Sequence, residues 1–219
     1  MAAQALLHLL QFASPALPIG AYSYSQGLEA AMEQGRVHDS ASARIWMVDM
    51  LHQVLARWDA PVFWRLLRSQ LAGDAVAAAN WAERFLASRD TAELRAESVQ
   101  MGFSLGHLLA ELDLAPAVAG EEAYPAALAR AVHALGIAQE DALLAMLFGW
   151  AENQVLVCVK SIPLGQVAGQ RLLLSLRPEI EAAADAAQAM DDTELSNWSP
   201  GLSLLSMRHE VQHGRLYRS

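Results

Sequence analysis

The sequence has little cysteine, little lysine and few β-branched aliphatic residues, and each shortage excludes a class of site or structure. Cys158 is the single cysteine among 219 residues, which excludes an intramolecular disulfide and a cysteine-rich zinc or iron–sulfur site. Lys160 is the single lysine beside 14 arginines, so a phosphate-binding or Schiff-base lysine has one candidate. The 18 valines and isoleucines are outnumbered by 42 alanines and 34 leucines, a composition that favours helices over strands. We therefore expect an all-α protein.

The charge balance and the apolar content restrict the partners of the chain. Fifteen basic and 24 acidic residues give a net charge of −9, which repels phosphates, so we expect no nucleic-acid partner. Hydrophobic residues make up 54% of the sequence, so we expect an apolar patch that contacts another protein, as in a homodimer. Three polar residues interrupt the apolar residues 142–160 and make a membrane span costly, so we expect none. The N-terminus lacks a basic leading segment and a cleavage site, and we expect a cytoplasmic protein.

Proline and glycine divide the sequence into helix-forming segments without a repeat or a flexible linker. We predict one compact domain, residues 1–219, of roughly eight to ten helices. Helical patterns cover residues 2–13, 25–35, 40 onward, 61 onward, 74–87, 91–114, 125–135, 140 onward, 164–176 and 179–190. Two prolines and a glycine interrupt residues 14–21, which we expect to form an ordered loop. Residues 191–219 mix proline and glycine with short apolar runs and predict a tail that orders only by packing against something.

Two local signals predict details of the helices. Asp39 or Ser40 is placed to cap the helix that follows. Gly102 and Gly106 lie four residues apart on a predicted helix, so their bare faces stack and are expected to allow a close helix crossing.

Residues 209–213 read His-Glu-Val-Gln-His and match the H-E-x-x-H pattern of zinc metalloproteases. In that chemistry two histidines one helical turn apart bind zinc and the glutamate is the general base, but a further protein ligand is needed. The six residues after His213 contain no histidine, glutamate, aspartate or cysteine. We therefore expect His209 and His213 to be surface or interface residues. A helical zinc enzyme with an upstream ligand, such as Glu152 or His107, is the alternative.

The sequence offers little other catalytic chemistry. Cys158 lies in an apolar run that keeps its thiol neutral, so we expect a core cysteine. The sequence contains no G-x-S-x-G, Walker A or G-x-G-x-x-G motif, which removes the usual signals of acyl transfer and nucleotide binding. We expect no catalytic residue, no resident metal and no cofactor.

Three segments carry more polar chemistry than a helical scaffold needs. The first, residues 14–29, leads from two prolines into hydroxyl groups and a carboxylate and includes Tyr22, Ser23, Tyr24, Ser25, Gln26 and Glu29, of which Gln26 and Glu29 are placed to complete the first helical turns. Capping of the next helix by a serine is one explanation, and a functional site is the other. The second, residues 150–155, places Glu152, Asn153 and Gln154 inside an apolar helix, where buried polar groups need a polar network or a partner protein.

The third segment, residues 163–171, repeats Gly-Gln with a spacing of four. This spacing stacks Gly165 and Gly169 on one helix face with Gln166 and Gln170 beside them, which gives close backbone approach next to amide groups. Packing of the glycines in the core is the alternative explanation.

Three ordered blocks carry a family resemblance. Residues 14–29 read Ser-Pro-x-Leu-Pro-x-Gly-x-Tyr-Ser-Tyr-Ser-x-Gly-Leu-Glu, residues 152–171 contain Glu-x-Gln and Pro-Leu-Gly-Gln-x-x-Gly-Gln-Arg, and residues 207–219 contain Met-Arg-His-Glu-x-Gln and Arg-Leu-Tyr-Arg-Ser. The chain thereby resembles the UreF family of urease accessory proteins. The family usually has tyrosine and serine where this chain has His213 and Gly214, and this departure creates the H-E-x-x-H match.

The resemblance implies a non-catalytic helical adaptor in the assembly of the urease nickel centre. Such an adaptor forms a homodimer, binds the accessory protein UreD, also called UreH, and recruits the nickel-carrying GTPase UreG for nickel delivery to apo-urease. A role in regulating GTP hydrolysis makes Lys160 and Glu29 worth testing. The resemblance places the expected partner-binding residues at Tyr22, Ser23, Tyr24, Ser25, Glu29, Glu152, Gln154, Lys160, Gln166, Gln170, Arg171, Arg208, His209, Glu210, Arg215, Tyr217 and Arg218.

The C-terminal tail, residues 191–219, is the expected docking element for the UreD-like partner. It combines guanidinium groups with apolar side chains, and interface anchors favour arginine and aromatic residues. These residues are Arg208, Arg215 and Arg218 beside Leu204, Leu205, Leu216 and Tyr217. Because the tail is short, we expect removal of the residues from Met207 onward to leave the helical domain folded.

Overall fold

The structure is a computed structural model that describes residues 3–219, which form helices and no strand. The all-α prediction is confirmed: ten helices have at least ten residues each, and α2 has six. The helices are α1 (Ala3–Phe12), α2 (Leu28–Glu33), α3 (Ser40–Gln53), α4 (Asp59–Ala72), α5 (Ala75–Ala87), α6 (Ala92–Glu111), α7 (Tyr124–Ala134), α8 (Gln139–Ser161), α9 (Gln166–Ser175), α10 (Arg177–Ala189) and α11 (Pro200–Glu210). Short 3₁₀ turns lie at Ala21–Ser23 and Leu55–Arg57.

The longest helix, α8, runs through the core of the molecule. It packs against α1, α2, α3, α4, α9 and α10. Its side chains Leu143, Leu147 and Val157 are buried in these contacts. Among the described residues, α8 is also the one helix long and apolar enough to cross a membrane, and 44% of its most apolar window is buried inside the fold.

The predicted helix boundaries agree with the structure where a cap or a proline sets them. Asp39 caps α3, because its side chain accepts a hydrogen bond from the Ser42 backbone N–H at 2.8 Å. Asp74 and Thr91 cap α5 and α6 in the same way. Pro125 lies in the first turn of α7, as expected for a residue without a backbone donor.

The loop before α2 is ordered but longer than predicted. The helix expected from residue 25 begins at Leu28, because Gln26 and Gly27 have left-handed backbone conformations with φ of 53° and 81°. An α-helix cannot continue through two such residues. The chain therefore turns sharply at Gln26. As a result, polar atoms of this loop face α6 and α8.

The glycine pair on α6 makes the predicted close approach, but its neighbour is not a crossing helix. A Cβ atom on Gly102 would collide with the carbonyl group of Glu122, and one on Gly106 would lie 2.6 Å from the Glu122 carboxylate. The chain segment that leads into α7 therefore packs directly on the bare face of α6.

The C-terminal stretch is ordered by packing against its own chain. Residues 200–210 form α11, which packs on α2 and α6, and the following residues turn back beside the loop before α2. Leu205, His209, Tyr217 and Ser219 are buried. The expectation that the tail adds little to the folded domain is therefore wrong, since its residues are part of the core.

Candidate interaction site

The carboxylate of Glu29, on α2, holds the tail. One oxygen accepts the backbone N–H of Leu216 at 2.7 Å, and the other accepts the N–H of Tyr217 at 3.0 Å. The second oxygen also lies 3.1 Å from Nε2 of His209. Hydrogen bonds to an ionised acceptor are roughly twice as strong as neutral ones, so a buried Glu29 fixes this segment firmly.

His209 occupies the centre of the cluster. It is fully buried, with Nδ1 at 2.7 Å from a carboxylate oxygen of Glu93 and Nε2 facing Glu29. The other oxygen of Glu93 accepts a hydrogen bond from the Arg215 guanidinium at 2.6 Å. The expectation that His209 is a surface or interface residue is therefore wrong, because α2 and α6 enclose its ring.

The end of the tail pairs with the loop before α2. The backbone N–H of Arg218 donates to the Ser23 carbonyl at 2.8 Å, and the N–H of Ser25 donates to the Ser219 carbonyl at 2.9 Å. The hydroxyl of Ser25 also donates to the Ser219 carbonyl, and its oxygen accepts the Glu29 N–H at 3.3 Å. Ser25 therefore connects the tail to the start of α2 rather than only capping the helix.

The polar residues inside α8 find their partners in the same loop. Asn153 donates to the Tyr24 carbonyl at 2.9 Å, and Gln154 donates to the Ser25 carbonyl at 3.2 Å. The indole N–H of Trp150 donates to the Gln26 side chain at 2.6 Å. A polar network within the chain thus satisfies these donors, whereas the buried Oε1 of Gln154 has no hydrogen-bond partner among the described residues.

Glu97, on α6, belongs to the same network and contacts both the loop before α2 and the end of the tail. It accepts hydrogen bonds from the Gln26 amide at 2.5 Å and from the Ser219 hydroxyl at 2.9 Å. Burial raises the pKa of Glu97 to about 7. Burial also raises the pKa of Tyr24, an effect that the nearby Arg218 opposes.

The sequence analysis missed Glu93 and Glu97, and it assigned Gln26 only to the first turns of a helix rather than to its contacts with Glu97 and Trp150. The signal was present on α6, where Glu93 and Glu97 continue, at a spacing of four, the buried stripe formed by Met101 and Leu105. Carboxylates on the core face of an amphipathic helix indicate a buried polar cluster.

Glu210 and Arg208 flank His209 and have different environments. Glu210 is exposed, and one of its oxygens accepts the backbone N–H of Ala92 at 3.0 Å at the start of α6. This contact places an anion at a helix N-terminus and ties α11 to α6. Arg208 points away from the core and is exposed, as is Arg218.

Several predicted contact residues lie away from the tail. Lys160 at the end of α8 and Gln166, Gln170 and Arg171 on α9 are exposed. Because α9 packs on α8, α3 and α10, these side chains form a second surface. Gly169 of the same motif packs in the core, where an added Cβ would lie 2.7 Å from Val159, and Glu152 is half-buried with its pKa raised by burial.

The geometry does not favour a zinc site at the H-E-x-x-H pattern. α11 ends at Glu210, so His213 lies beyond the helix and is exposed while His209 is buried. Both ring nitrogens of His209 already face carboxylates, and residues 3–219 contain no group of three histidine, cysteine or acidic side chains arranged to hold a metal. Cys158 is a core cysteine, as predicted, and burial raises the pKa of its thiol to about 12.

Comparison with known proteins identifies the family. The UreF family model matches residues 37–177. The chain is 63% identical to the urease accessory protein UreF of Janthinobacterium sp. (strain Marseille), with all of both chains covered. It is 55% identical to UreF of Nitrosospira multiformis and 50% identical to UreF of Azoarcus sp. (strain BH72), with at least 98% of this chain and 95% of each relative covered. The chain belongs to the UreF family of urease accessory proteins.

Proposed function

We propose that the chain is a non-catalytic adaptor in urease maturation, and that the outer face of its C-terminal tail binds a UreD/UreH-like accessory protein. Membership of the family supports the role in urease maturation. The proposed contact with the UreD/UreH-like protein is supported by the difference between the inner and outer faces of the tail. Its inner residues bond to buried carboxylates, while its outer residues expose apolar side chains and arginines. A segment that is already ordered loses little conformational entropy when a partner binds.

The outer face of α11 is an apolar stripe. Leu204 and Met207, with Val211 directly after the helix, recur at the i, i+3, i+7 spacing of one helix face. They are exposed by 59%, 48% and 75%. Arg208 lies beside them and is also exposed, and exposed apolar patches with arginine are typical of protein interfaces.

The structure divides the expected tail contacts into two groups. Arg215, Tyr217 and Leu205 hold the tail on the core, because Arg215 bonds to Glu93 and the other two are buried. Leu204, Leu216, Arg208 and Arg218 are exposed and are available to a partner. Glu29 is buried, so we expect it to act by positioning the tail rather than by touching a partner.

We further propose that the adaptor has two other partners, the GTPase UreG and apo-urease. Bound to its UreD-like partner, the adaptor recruits the GTPase UreG, and the complex delivers nickel to apo-urease in the cytoplasm. The exposed group around Lys160 and Arg171 is the candidate contact for the GTPase. Replacement of Lys160 by alanine is therefore expected to weaken UreG recruitment without weakening UreD binding in co-purification.

A homodimer is supported by the apolar outer face of α1. Leu6, Leu7 and Leu10 are exposed by 44%, 67% and 62%, which leaves one face of the helix unpartnered within the chain. Light scattering of the purified protein is expected to show a dimer at micromolar concentration. A monomer at that concentration contradicts this part of the proposal.

The zinc-enzyme alternative has a direct test. The variant His213→Tyr has the residue that is usual in the family at this position, and we expect it to support urease activation as the unmodified chain does. Loss of a stoichiometric zinc ion together with loss of activity would favour the alternative.

The docking proposal is tested with matched surface variants. The double variant Leu204→Asp, Met207→Asp is expected to reduce the affinity for the UreD-like partner at least about tenfold, measured by co-purification and titration. The control is Leu71→Asp, Val76→Asp, at residues that are 70% and 72% exposed on α4 and α5. Equal binding by both double variants contradicts the proposal.

A further inference from the structure

We propose that His209 is a proton-dependent latch: the imidazolium ring, held between Glu29 and Glu93, fastens residues 211–219 to the helical core, and loss of its proton releases them. The fastening concerns this chain alone. Its consequence for partner binding rests on the proposed function, because Val211, Leu216 and Arg218, which are exposed and available to a partner, lie in the released segment.

Facing two ionised carboxylates, the ring needs a donor at both of its nitrogens. Nε2 of His209 faces an oxygen of Glu29 at 3.1 Å, and Nδ1 faces an oxygen of Glu93 at 2.7 Å. An ionised carboxylate only accepts hydrogen bonds, whereas a neutral imidazole has one donor and one acceptor. A neutral ring would therefore direct a lone pair at a carboxylate oxygen, and separations of 2.7 Å and 3.1 Å leave no room for a water between the two groups.

The charges of the cluster balance when the ring is protonated. Glu29 and Glu93 contribute two negative charges, and His209 and Arg215 contribute two positive ones. Without the proton, one buried negative charge is left unbalanced, and such a charge is costly. His209 also lies in the last turn of α11, where the helix dipole favours a cation.

The latch connects to the tail through both carboxylates. Glu29 accepts the backbone N–H groups of Leu216 and Tyr217, and Glu93 accepts the guanidinium of Arg215. When one of these carboxylates moves away from a neutral ring, it therefore also withdraws from its tail partner. The titratable and charged groups that face the cluster from the packed elements are Glu29 on α2, Glu93 and Glu97 on α6, Glu210 on α11, Cys158 on α8, and Arg215 and Tyr217 in the tail.

The sign of the pH dependence follows from linkage. The fastened tail binds one proton more than the released tail, so fastening weakens as pH rises. For one linked proton, the equilibrium between the fastened and the released tail shifts by at most about tenfold per pH unit.

The test is amide hydrogen exchange at Leu216 and Tyr217, whose N–H groups bond to Glu29, across about pH 6 to about pH 9. After correction for the intrinsic rate, protection is expected to fall about tenfold per pH unit in the upper part of this range. The variant Glu93→Gln offers an amide donor to a neutral ring, so its protection is expected to stay constant with pH. The control variant His52→Gln, which removes a histidine paired with Glu179 at 2.8 Å away from the tail, is expected to keep the original pH profile.

Glu97 needs a control of its own, because it bonds to Ser219 and its pKa lies in the same range. The exchange measurement is therefore repeated in the Glu97→Gln variant, where the pH dependence is expected to persist. Its disappearance there assigns the effect to Glu97 and overturns the proposal. Protection that is independent of pH in the unmodified chain, or an unchanged profile in Glu93→Gln, also overturns it.

A second measurement decides the question even if Glu93→Gln fails to fold. The ¹⁵N chemical shifts of the His209 ring at neutral pH are expected to show two protonated nitrogens, and a neutral tautomer refutes the latch. Failure of the docking proposal gives a different result: partner binding is then lacking at every pH, although the tail still fastens and releases as described.

Discussion

Replacement of Glu97 by glutamine tests the buried network at a carboxyl group whose pKa is raised by burial. Burial raises the pKa of Glu97 from its ordinary value of 4.5 to about 7. Because the folded-state pKa lies above the unfolded-state value, the folded chain holds the Glu97 proton more tightly. Stability is thus fully present below about pH 4.5 and is lost as pH rises toward 7.

The magnitude follows from the shift. About 7 minus 4.5 is about 2.5 units, which corresponds to about 3 kcal/mol at pH values above both pKa values. Glutamine is neutral at every pH and keeps the shape of the side chain. The Ser219 hydroxyl, which donates to Glu97, is able to accept from an amide instead.

The assay is urea unfolding of both proteins at about pH 4.5 and about pH 8. We expect similar free energies of unfolding at the lower pH and a Glu97→Gln variant that is more stable by up to about 3 kcal/mol at the higher pH. A variant that is less stable by the same amount at both pH values refutes the reasoning, because the ionised carboxylate would then be favourable in the fold.

Three further predictions concern the tail, the glycine contact and the thiol. Deletion of residues 211–219 is expected to destabilise the domain by at least about 3 kcal/mol in urea unfolding, because buried Glu29 loses two backbone donors; an unchanged midpoint contradicts this. Gly102→Ala is expected to cost about 2 kcal/mol or more by thermal unfolding because of its collision with a carbonyl, whereas Gly149→Ala on α8, where an added Cβ would meet only the Ala13 carbonyl oxygen at 4.0 Å, is expected to be neutral or stabilising. Cys158 is expected to stay unreactive to a thiol reagent at about pH 8 until the chain unfolds, and rapid labelling of the native protein refutes its burial.

The parts of the fold that the sequence predicts are those set by local chemistry. Asp39 caps α3 because its side chain reaches an N–H three residues later, and Pro125 suits the first turn of α7 because it lacks a donor. Cys158 is buried because its neighbours along the chain are apolar. For the cap and the proline the partners lie within a few residues, and for Cys158 the apolar run indicates burial, so a single sequence carries the information.

The candidate site depends on contacts that no local pattern encodes. Glu29 and His209 are 180 residues apart, and Ser25 and Ser219 are separated by 194. The sequence shows that these residue types are unusual for a helical scaffold, but only the packing of α11 on α2 and α6 brings them together. The same packing explains why His209 is buried although its motif resembles an exposed metal site.

The central claim is that the outer face of α11 contacts the UreD-like partner, and site-specific photo-crosslinking tests it most directly. A photoreactive amino acid is placed at Met207 on that face and, as the control, at Val76 on α5, which is 72% exposed. We expect a crosslink to the partner from position 207 and none from position 76 when the two proteins are mixed at equal concentration. Efficient crosslinking from position 76 with none from position 207 would contradict it.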